Sequence, residues 1–206
     1  MLLREMERLV EEEAPGPHPS FALVHALYAL FVLDGQPVGR QKLASTLSIG
    51  EGSVRTLLRK LTRRGLVSIQ RSGCSLTPKG EKLLDEASAS FYLFEPRRGS
   101  LPGRASFGVG VRGGAELAKG IQERDEAIKA GAEGAITLVS RGGELYMPGL
   151  VNVSKEHPEL SRGVLDVVAP TEGDAMILSW GRDRPGVVYG SLGAAWRLFE
   201  RMSRVG

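Results

Sequence analysis

The sequence predicts an α+β protein with two unlike parts. In the first part apolar residues recur at helical spacing, and one short β-hairpin between residues 66 and 76 interrupts the helices. In the second part strand-like alternation and helical spacing take turns along the chain. With 206 residues, the chain is long enough for two small domains. The predicted division is residues 1–92, a linker rich in proline, glycine and arginine at 93–104, and residues 105–206.

Composition excludes several classes of protein. Charged residues make up 25% of the chain and hydrophobic residues 42%, which is unlike a disordered tail, a collagen repeat or a coiled-coil rod. The longest mainly apolar run, Phe21–Leu33, contains His25 and is shorter than the roughly 20 residues that a membrane span needs. We therefore expect no membrane association.

Cysteine usage and the N-terminus indicate a compartment. The chain has one cysteine, Cys74, so no internal disulfide can form. Residues 1–13 are charged throughout and lack the apolar core of a secretory signal peptide. We expect a reducing, cytoplasmic setting.

Positive charge is concentrated in one block. The whole chain has a net charge of +3, but residues 35–84 hold ten basic and two acidic side chains. The segments before and after this block, residues 1–34 and 85–96, are net negative, and residues 97–206 are close to balanced. A local basic block on an otherwise balanced chain is typical of a site for a polyanion.

The first part alternates helices with one hairpin. The clearest helix has Val54, Leu57, Leu58 and Leu61 on one side, and Gly65 ends it. Thr77 and Pro78 form an N-cap and first-turn pair for a later helix. The predicted order is a helix at 2–13, helices at 20–33, 39–47 and 51–64, strands at 66–71 and 74–76, and a helix at 77–92, with Ser20 as the N-cap of the second helix.

This order of elements predicts a winged helix-turn-helix over residues 20–92. Within it, three segments strongly resemble prokaryotic winged-helix transcription regulators. They are Ile49–Leu61, the run Arg64-Gly65-Leu66-Val67, and the run Leu76-Thr77-Pro78-Lys79-Gly80. The resemblance implies that the helix at 51–64 reads double-stranded DNA.

Candidate DNA contacts lie mainly on that helix. Its N-terminal half should face base edges, where the planar fork of arginine matches the O6 and N7 acceptors of guanine. The base-edge candidates are Ser53, Arg55, Thr56 and Arg59; the phosphate candidates are Lys60, Arg63, Arg64, Arg40 and Lys42; and Arg71 lies at the wing tip. The alternative is a solvated face on a winged helix that binds protein, but such faces usually mix charges of both signs.

Strands and helices alternate in the second part. The pattern predicts strands at 106–112, 135–140, 145–147 and 175–180, and helices at 115–130, 158–166 and 188–202. On the first of these helices, Leu117, Ile121 and Ile128 are expected to face inward.

The run Gln122–Val139 resembles a small group of archaeal winged-helix proteins of unassigned function. The resemblance implies a C-terminal α+β domain of DCoH-like or GAD-like fold, related to a domain inserted in some enzymes of aminoacyl-tRNA synthesis. It implies a pairing of domains and no activity.

The run Gly108–Gly113 has the G-x-G-x-x-G spacing of dinucleotide-binding loops. The next strand ends in Arg141 rather than in the acidic residue that would bind a ribose. The 65 residues after that strand, 142–206, are too few for a full doubly wound sheet. We therefore expect no cofactor. A more modest hypothesis is a small-anion or ligand site at Arg112, Gly113 and Gly114, ahead of a helix start. The three histidines and Cys74 show no metal-ligand spacing, and no catalytic motif is present, so we expect no metal site and no enzyme activity.

The sequence therefore favours a DNA-binding transcriptional regulator. Its first and last helices are amphipathic and fit a homodimer that would place two reading helices about 34 Å apart. The second domain would dimerise or sense a small-molecule effector. One alternative is a protein- or RNA-interaction module that does not read DNA. Another is an enzyme in the second domain, which would need a catalytic group beside Arg112, Arg124 or Arg141.

Overall fold

The structure, a computed structural model, describes residues 2–11 and 21–205. The chain divides into two units, Met1–Ala89 and Ser90–Gly206. The N-terminal elements, in order, are α1 (Leu2–Glu11), α2 (Leu23–Val32), α3 (Arg40–Leu47), α4 (Glu51–Arg63), β1 (Val67–Gln70), β2 (Gly73–Leu76) and α5 (Pro78–Ser90). This is the predicted order of four helices, a hairpin and a helix. The predicted N-cap Ser20 lies outside the described residues, and Ala22 is the N-cap of α2.

The core of the N-terminal unit forms around α4. Val54, Leu57, Leu58 and Leu61 are all buried, which confirms the predicted stripe. Each buried leucine side chain contributes about 1.5–3 kcal/mol relative to an exposed one. Burial of this stripe fixes the rotation of α4 about its axis, and therefore which of its other side chains reach solvent.

Gly65 and Thr77 lie in the runs that resemble winged-helix regulators, and they hold the base of the hairpin. Gly65 has φ +68° and ends α4 in the left-handed conformation that glycine adopts without strain. The Thr77 hydroxyl donates to the Gly65 carbonyl at 2.5 Å and accepts from the Gly80 N–H at 3.1 Å, so Thr77 caps α5 as predicted.

Lys79 and Gly80 complete this junction. Lys79 Nζ donates to the Arg64 carbonyl at 2.9 Å, at the end of α4. A Cβ at Gly80 would lie 2.0 Å from the Leu66 carbonyl oxygen, so α5 can pack here only with glycine. The motif at 76–80 thus joins the hairpin to α5.

The C-terminal unit is an α+β sandwich. Its elements are β3 (Phe91–Phe94), β4 (Ala105–Val111), α6 (Ile121–Lys129), β5 (Gly134–Arg141), β6 (Glu144–Tyr146), α7 (Val153–Glu156), α8 (Pro158–Leu165), β7 (Ala175–Gly181) and α9 (Arg184–Val205). The strands form one antiparallel sheet in the order β3-β4-β7-β5-β6. The strands and helices lie close to the predicted positions, apart from the short helix α7, which the sequence pattern did not predict, and two larger exceptions.

The first exception is β3, which sequence analysis assigned to the end of a helix and the start of the linker. Phe91–Phe94 instead pairs with Gly108–Val111 at the edge of the sheet. Three aromatic residues and a leucine in succession favour a strand over a helix. The helix before it stops at Ser90, and the strand that follows buries its first and last side chains, Phe91 and Phe94, on opposite sides of the sheet.

The second exception is the start of α6. Sequence analysis began this helix at Ala115, but it begins at Ile121. The buried Glu123 carboxylate accepts from the Lys119 and Gly120 N–H groups at 2.9 and 2.6 Å and also pairs with Arg201. Ile121 and Ile128, expected to face inward, are 64% and 45% exposed. The later start changes which residues face the sheet.

Helices cover both sides of the sheet. On one side α9 packs closely, because Ser191 Oγ donates to the Phe107 carbonyl at 2.9 Å and accepts from the Ser179 N–H at 3.1 Å. On the other side a second cluster joins Leu138, Met176 and Leu178 to Val153 of α7 and Val164 of α8. Among the helices that the structure describes, none is both long and apolar enough to cross a membrane.

Two glycines of the G-x-G-x-x-G run are packing residues. Gly108 and Gly110 lie directly opposite Phe94 and Tyr92 in the β3–β4 register. A Cβ would lie 2.4 Å from the Phe94 ring at Gly108 and 1.9 Å from the Tyr92 ring at Gly110. The two rings therefore lie flat across β4, an arrangement in which an aromatic residue covers a cross-strand glycine.

Replacing Gly110 should destabilise the C-terminal unit. Gly110→Ala forces the Tyr92 ring to move, and we expect it to lower the free energy of unfolding by about 1–3 kcal/mol. Urea denaturation followed by tryptophan fluorescence measures this, because both tryptophans, Trp180 and Trp196, lie in this unit.

Gly193→Ala is the matched control. Its Cβ would meet only Ala130 Cβ, at an ordinary 3.9 Å, on the helix α9. Alanine there should leave stability unchanged or raise it by up to about 1 kcal/mol. Equal effects of the two substitutions would contradict the packing role of Gly110.

Candidate nucleic-acid interface

A ridge of arginines runs along α4. Arg55, Arg59 and Arg63 are spaced four residues apart and are all exposed. At 1.5 Å per residue the ridge is about 12 Å long. It lies opposite the buried stripe, so burial of the stripe turns these three side chains outward.

Helix α3 and the hairpin extend the ridge into a basic concavity. Arg40 of α3 and the three ridge arginines line a depression of about 430 Å³, together with Ile69 of β1. A neighbouring depression of about 520 Å³ lies at the N-termini of α3 and α4 and includes Lys42. Residues that the sequence predicted as candidate DNA contacts line both depressions.

These cations are available to a ligand. No carboxylate in the described part of the chain forms an ion pair with Arg40, Lys42, Arg55, Arg59 or Arg63. Glu51 is the acidic residue that lines the second depression. A surface with this excess of unpaired cations attracts a polyanion strongly at low salt.

The two hydroxyl candidates are less accessible. Ser53 and Thr56 are half-buried, and the Thr56 hydroxyl donates to the Gly52 carbonyl at 3.1 Å within α4. Thr56 can therefore offer only its acceptor lone pairs to a ligand.

Two of the predicted phosphate contacts have a different role. Lys60 is only 6% exposed, and its Nζ donates to the Leu9 carbonyl of α1 at 2.8 Å. Arg64 lies beside Glu5 of α1 at 3.7 Å and reaches the Arg8 carbonyl at 3.5 Å. Both side chains hold α1 against α4, so the prediction that they face a ligand is corrected.

The wing is a tight hairpin. Gln70 pairs with Gly73, so Arg71 and Ser72 form a two-residue turn and Arg71 is exposed at the tip, as predicted. Val38 exchanges two backbone hydrogen bonds with Cys74, at 2.8 and 2.9 Å, and adds a third chain segment to the hairpin. Burial raises the pKa of the Cys74 thiol, consistent with a packing role.

The small-anion hypothesis in the C-terminal unit is also corrected. Asp174 is 1% exposed; its carboxylate accepts from the Gly113 N–H at 3.3 Å and lies 3.5 Å from Arg112. The site predicted for an anion therefore already holds the protein's own carboxylate. The helix expected to start just after Gly114 starts seven residues later than that glycine, at Ile121.

Arg112 has a second contact on the same side of the sheet. Its guanidinium lies over the Tyr92 ring, 4.9 Å from the centroid. Burial, and then the negative charge of Asp174, raise the pKa of Tyr92 above its ordinary value, so the phenol stays protonated. These contacts give Arg112 and Asp174 a structural role at the end of β4.

Two family models match separate parts of the chain. Residues 22–82 match the family described as the PH0730-like N-terminal domain, and residues 102–198 match a domain of unknown function, DUF4443. The hypothetical protein PH0730 from Pyrococcus horikoshii OT3 is similar in structure, with a TM-score of 0.74 and 28% identity over 88% of this chain and 95% of that one. The chain is therefore similar to this archaeal protein along most of its length.

Other similarities cover less of the chain. Lactococcus lactis ZitR is 22% identical over 42% of this chain and 66% of that one, with a TM-score of 0.30. The Mycobacterium tuberculosis transcriptional regulator MosR is 18% identical over 42% of this chain and 62% of that one, with a TM-score of 0.29. No curated protein matches the chain. The expected DCoH-like relationship is not addressed by these comparisons and stays a prediction.

The structural role of Lys60 can be tested by stability. Lys60→Ala removes a buried hydrogen bond and leaves the Leu9 carbonyl without that donor, so we expect the free energy of unfolding to fall by about 1–3 kcal/mol. Arg63→Ala, on the exposed ridge of the same helix, should change it by less than about 0.5 kcal/mol. Thermal unfolding followed by circular dichroism compares the two. A Lys60 variant as stable as the Arg63 variant would contradict the buried contact.

Proposed function

We propose that the chain is a cytoplasmic regulator that reads double-stranded DNA through its winged helix and acts by binding rather than catalysis. The observation that carries the proposal is the ridge of Arg55, Arg59 and Arg63, exposed and without ion pairs among the described residues. The ridge lies on the second helix of a helix-turn-helix, which is the helix that enters the major groove in this motif.

The contacts divide by chemistry. Arg55 and Arg59 lie on the N-terminal and central turns of α4, where a side chain reaches base edges and can bind guanine in a bidentate manner. Arg63, Arg40 and Lys42 lie around them and are suited to phosphates, which fix the register without reading sequence. Ser53 and Thr56 supply secondary polar contacts, and Arg71 at the wing tip reaches the backbone or the minor groove.

The C-terminal unit would then dimerise or sense an effector. A homodimer would present two copies of α4 about 34 Å apart to a pseudo-palindromic site. We include in this proposal the DCoH-like fold expected from the sequence. The packing of α6 and α9 on the antiparallel sheet supports that fold. Light scattering of the purified chain tests the dimer.

A second function draws support from one residue. Ile69 is 51% exposed in the wall of the basic concavity, and an apolar residue there would suit a protein or structured-RNA partner. This partner would give no salt-dependent binding to duplex DNA, so one experiment separates the two functions.

That experiment is fluorescence anisotropy with the upstream DNA of the chain's own gene and a scrambled duplex, each over a series of salt concentrations. Sequence reading predicts tighter binding to the native duplex and a steep salt dependence for both. Absence of binding to either duplex at low salt would favour the protein or RNA partner.

The arginine ridge makes a sharper prediction. Arg59→Ala should weaken binding to the preferred duplex by about 1–3 kcal/mol and affect the scrambled duplex less. Arg63→Ala should weaken both duplexes alike and reduce the salt slope by about one. Lys82→Ala removes one exposed charge from α5, outside the ridge, and is the control for net charge. If Arg59→Ala affects binding no more than Lys82→Ala, the ridge does not read DNA.

A further inference from the structure

A separate cavity lies in the C-terminal unit. It measures about 430 Å³ and is formed by the start of α6, by β5 and by the turn that follows β6. This volume is within the range of sites that bind small molecules. It involves none of the residues of the basic concavity.

The cavity exists because β6 is short. Within the described residues, β6 pairs with Val139–Arg141 of β5, and after Tyr146 the chain turns away. The remaining part of β5, residues 134–138, has no strand on that side among the described residues, and the turn after β6 and the start of α6 line the space beside it. The open edge of β5 forms the floor.

Apolar side chains form most of the wall. Ile121 and Leu150 are 64% and 78% exposed, although they are large and apolar. Ile136 and Met147 are half-buried beside them. Trp180 closes one end and packs tightly on β5, because a Cβ at Gly134 would lie 2.4 Å from its ring. These side chains would bury the apolar body of a ligand.

One wall residue carries an unsatisfied polar group. Thr137 is 2% exposed, and its buried hydroxyl has no hydrogen-bond partner among the residues that the structure describes. Such a group destabilises a protein unless something binds it, and a buried hydroxyl without a partner in a native structure needs an explanation. A ligand in the cavity that accepts a hydrogen bond provides one.

Charge at the rim selects the ligand. Lys119 and Arg124 line the cavity, and none of the described residues that line it carries a carboxylate. Arg124 pairs with its neighbour Asp125 at 3.1 Å, whereas Lys119 forms no ion pair with the part of the chain that the structure describes. Lys119 therefore offers a cation to the same cavity that Thr137 lines.

We propose that this cavity binds a small monocarboxylate with an apolar ring or chain. The apolar body lies against Ile121, Leu150 and Trp180, and the carboxylate is bound by Lys119 and Thr137. The site does not depend on DNA binding, so it can be tested whatever the N-terminal unit binds.

The test uses the full chain and two acids, 2-naphthoate and octanoate, each compared with its uncharged amide by isothermal titration calorimetry. We expect at least one acid to bind with a Kd below about 1 mM and its amide to bind at least about tenfold more weakly. The preferred acid distinguishes a ring from a chain. Failure of both acids to bind, or equal binding of acid and amide, would overturn the proposal.

Substitutions then locate the bound acid. Ile121→Ser and Lys119→Gln should weaken binding several-fold, whereas Ile128→Ser and Lys129→Gln, on the same helix outside the cavity, should not. Thr137→Val should weaken binding and raise the melting temperature of the free protein, because it removes an unsatisfied hydroxyl.

Two results would contradict the assignment. One is a Thr137→Val variant that binds the acid normally and is no more stable than the natural protein. The other is a dimer, seen by light scattering, that Ile121→Ser dissociates, since a second copy would then cover this surface.

Discussion

Burial of Val54, Leu57, Leu58 and Leu61 is the constraint on which the rest of the N-terminal unit depends. Four apolar side chains at helical spacing fix the rotation of α4 about its axis, and the same rotation turns a row of arginines outward. Packing and charge are therefore coupled through one helix. A change in the core would also displace the arginines, so stability must be measured beside binding for every variant in this region.

The C-terminal unit depends on close backbone approach. Gly108 and Gly110 admit aromatic rings across β4, and Ser191 joins α9 to two strands. These contacts explain why the first four residues of a run with the spacing of a dinucleotide loop, Gly108–Val111, lie in a strand. The carboxylate of Asp174 likewise occupies the position that suggested an anion site. In both places a motif associated with ligands is used to build the fold.

Local patterns predicted most of the fold. The stripe of α4, the cap at Thr77 and Pro78 and the hairpin turn at Arg71 depend on neighbours in sequence, and the structure places them as expected. Lys60 and Arg64 could not be assigned this way. They lie at the flank of the stripe, and only the packing of α1 decides that they face protein rather than solvent.

Contacts between residues distant in sequence also explain where the C-terminal unit differs from the prediction. The start of α6 is fixed by Glu123, whose carboxylate bonds depend on Arg201 more than 70 residues later. The cavity beside β5 depends on where β6 ends and on the turn after it, so no local pattern marks Thr137 or Trp180 as its wall. The helical spacing predicts that Ile121 faces inward, whereas it is 64% exposed at this cavity.

Hydrogen–deuterium exchange of the full chain with and without bound duplex tests the central claim most directly. If α4 reads the duplex, exchange slows in the segment from α3 to the hairpin, residues 40–76, with the strongest protection in the first turns of α4. No protection confined to the C-terminal unit is expected. Protection that spares α4 while the duplex is bound would contradict the assignment of the arginine ridge as the reading surface.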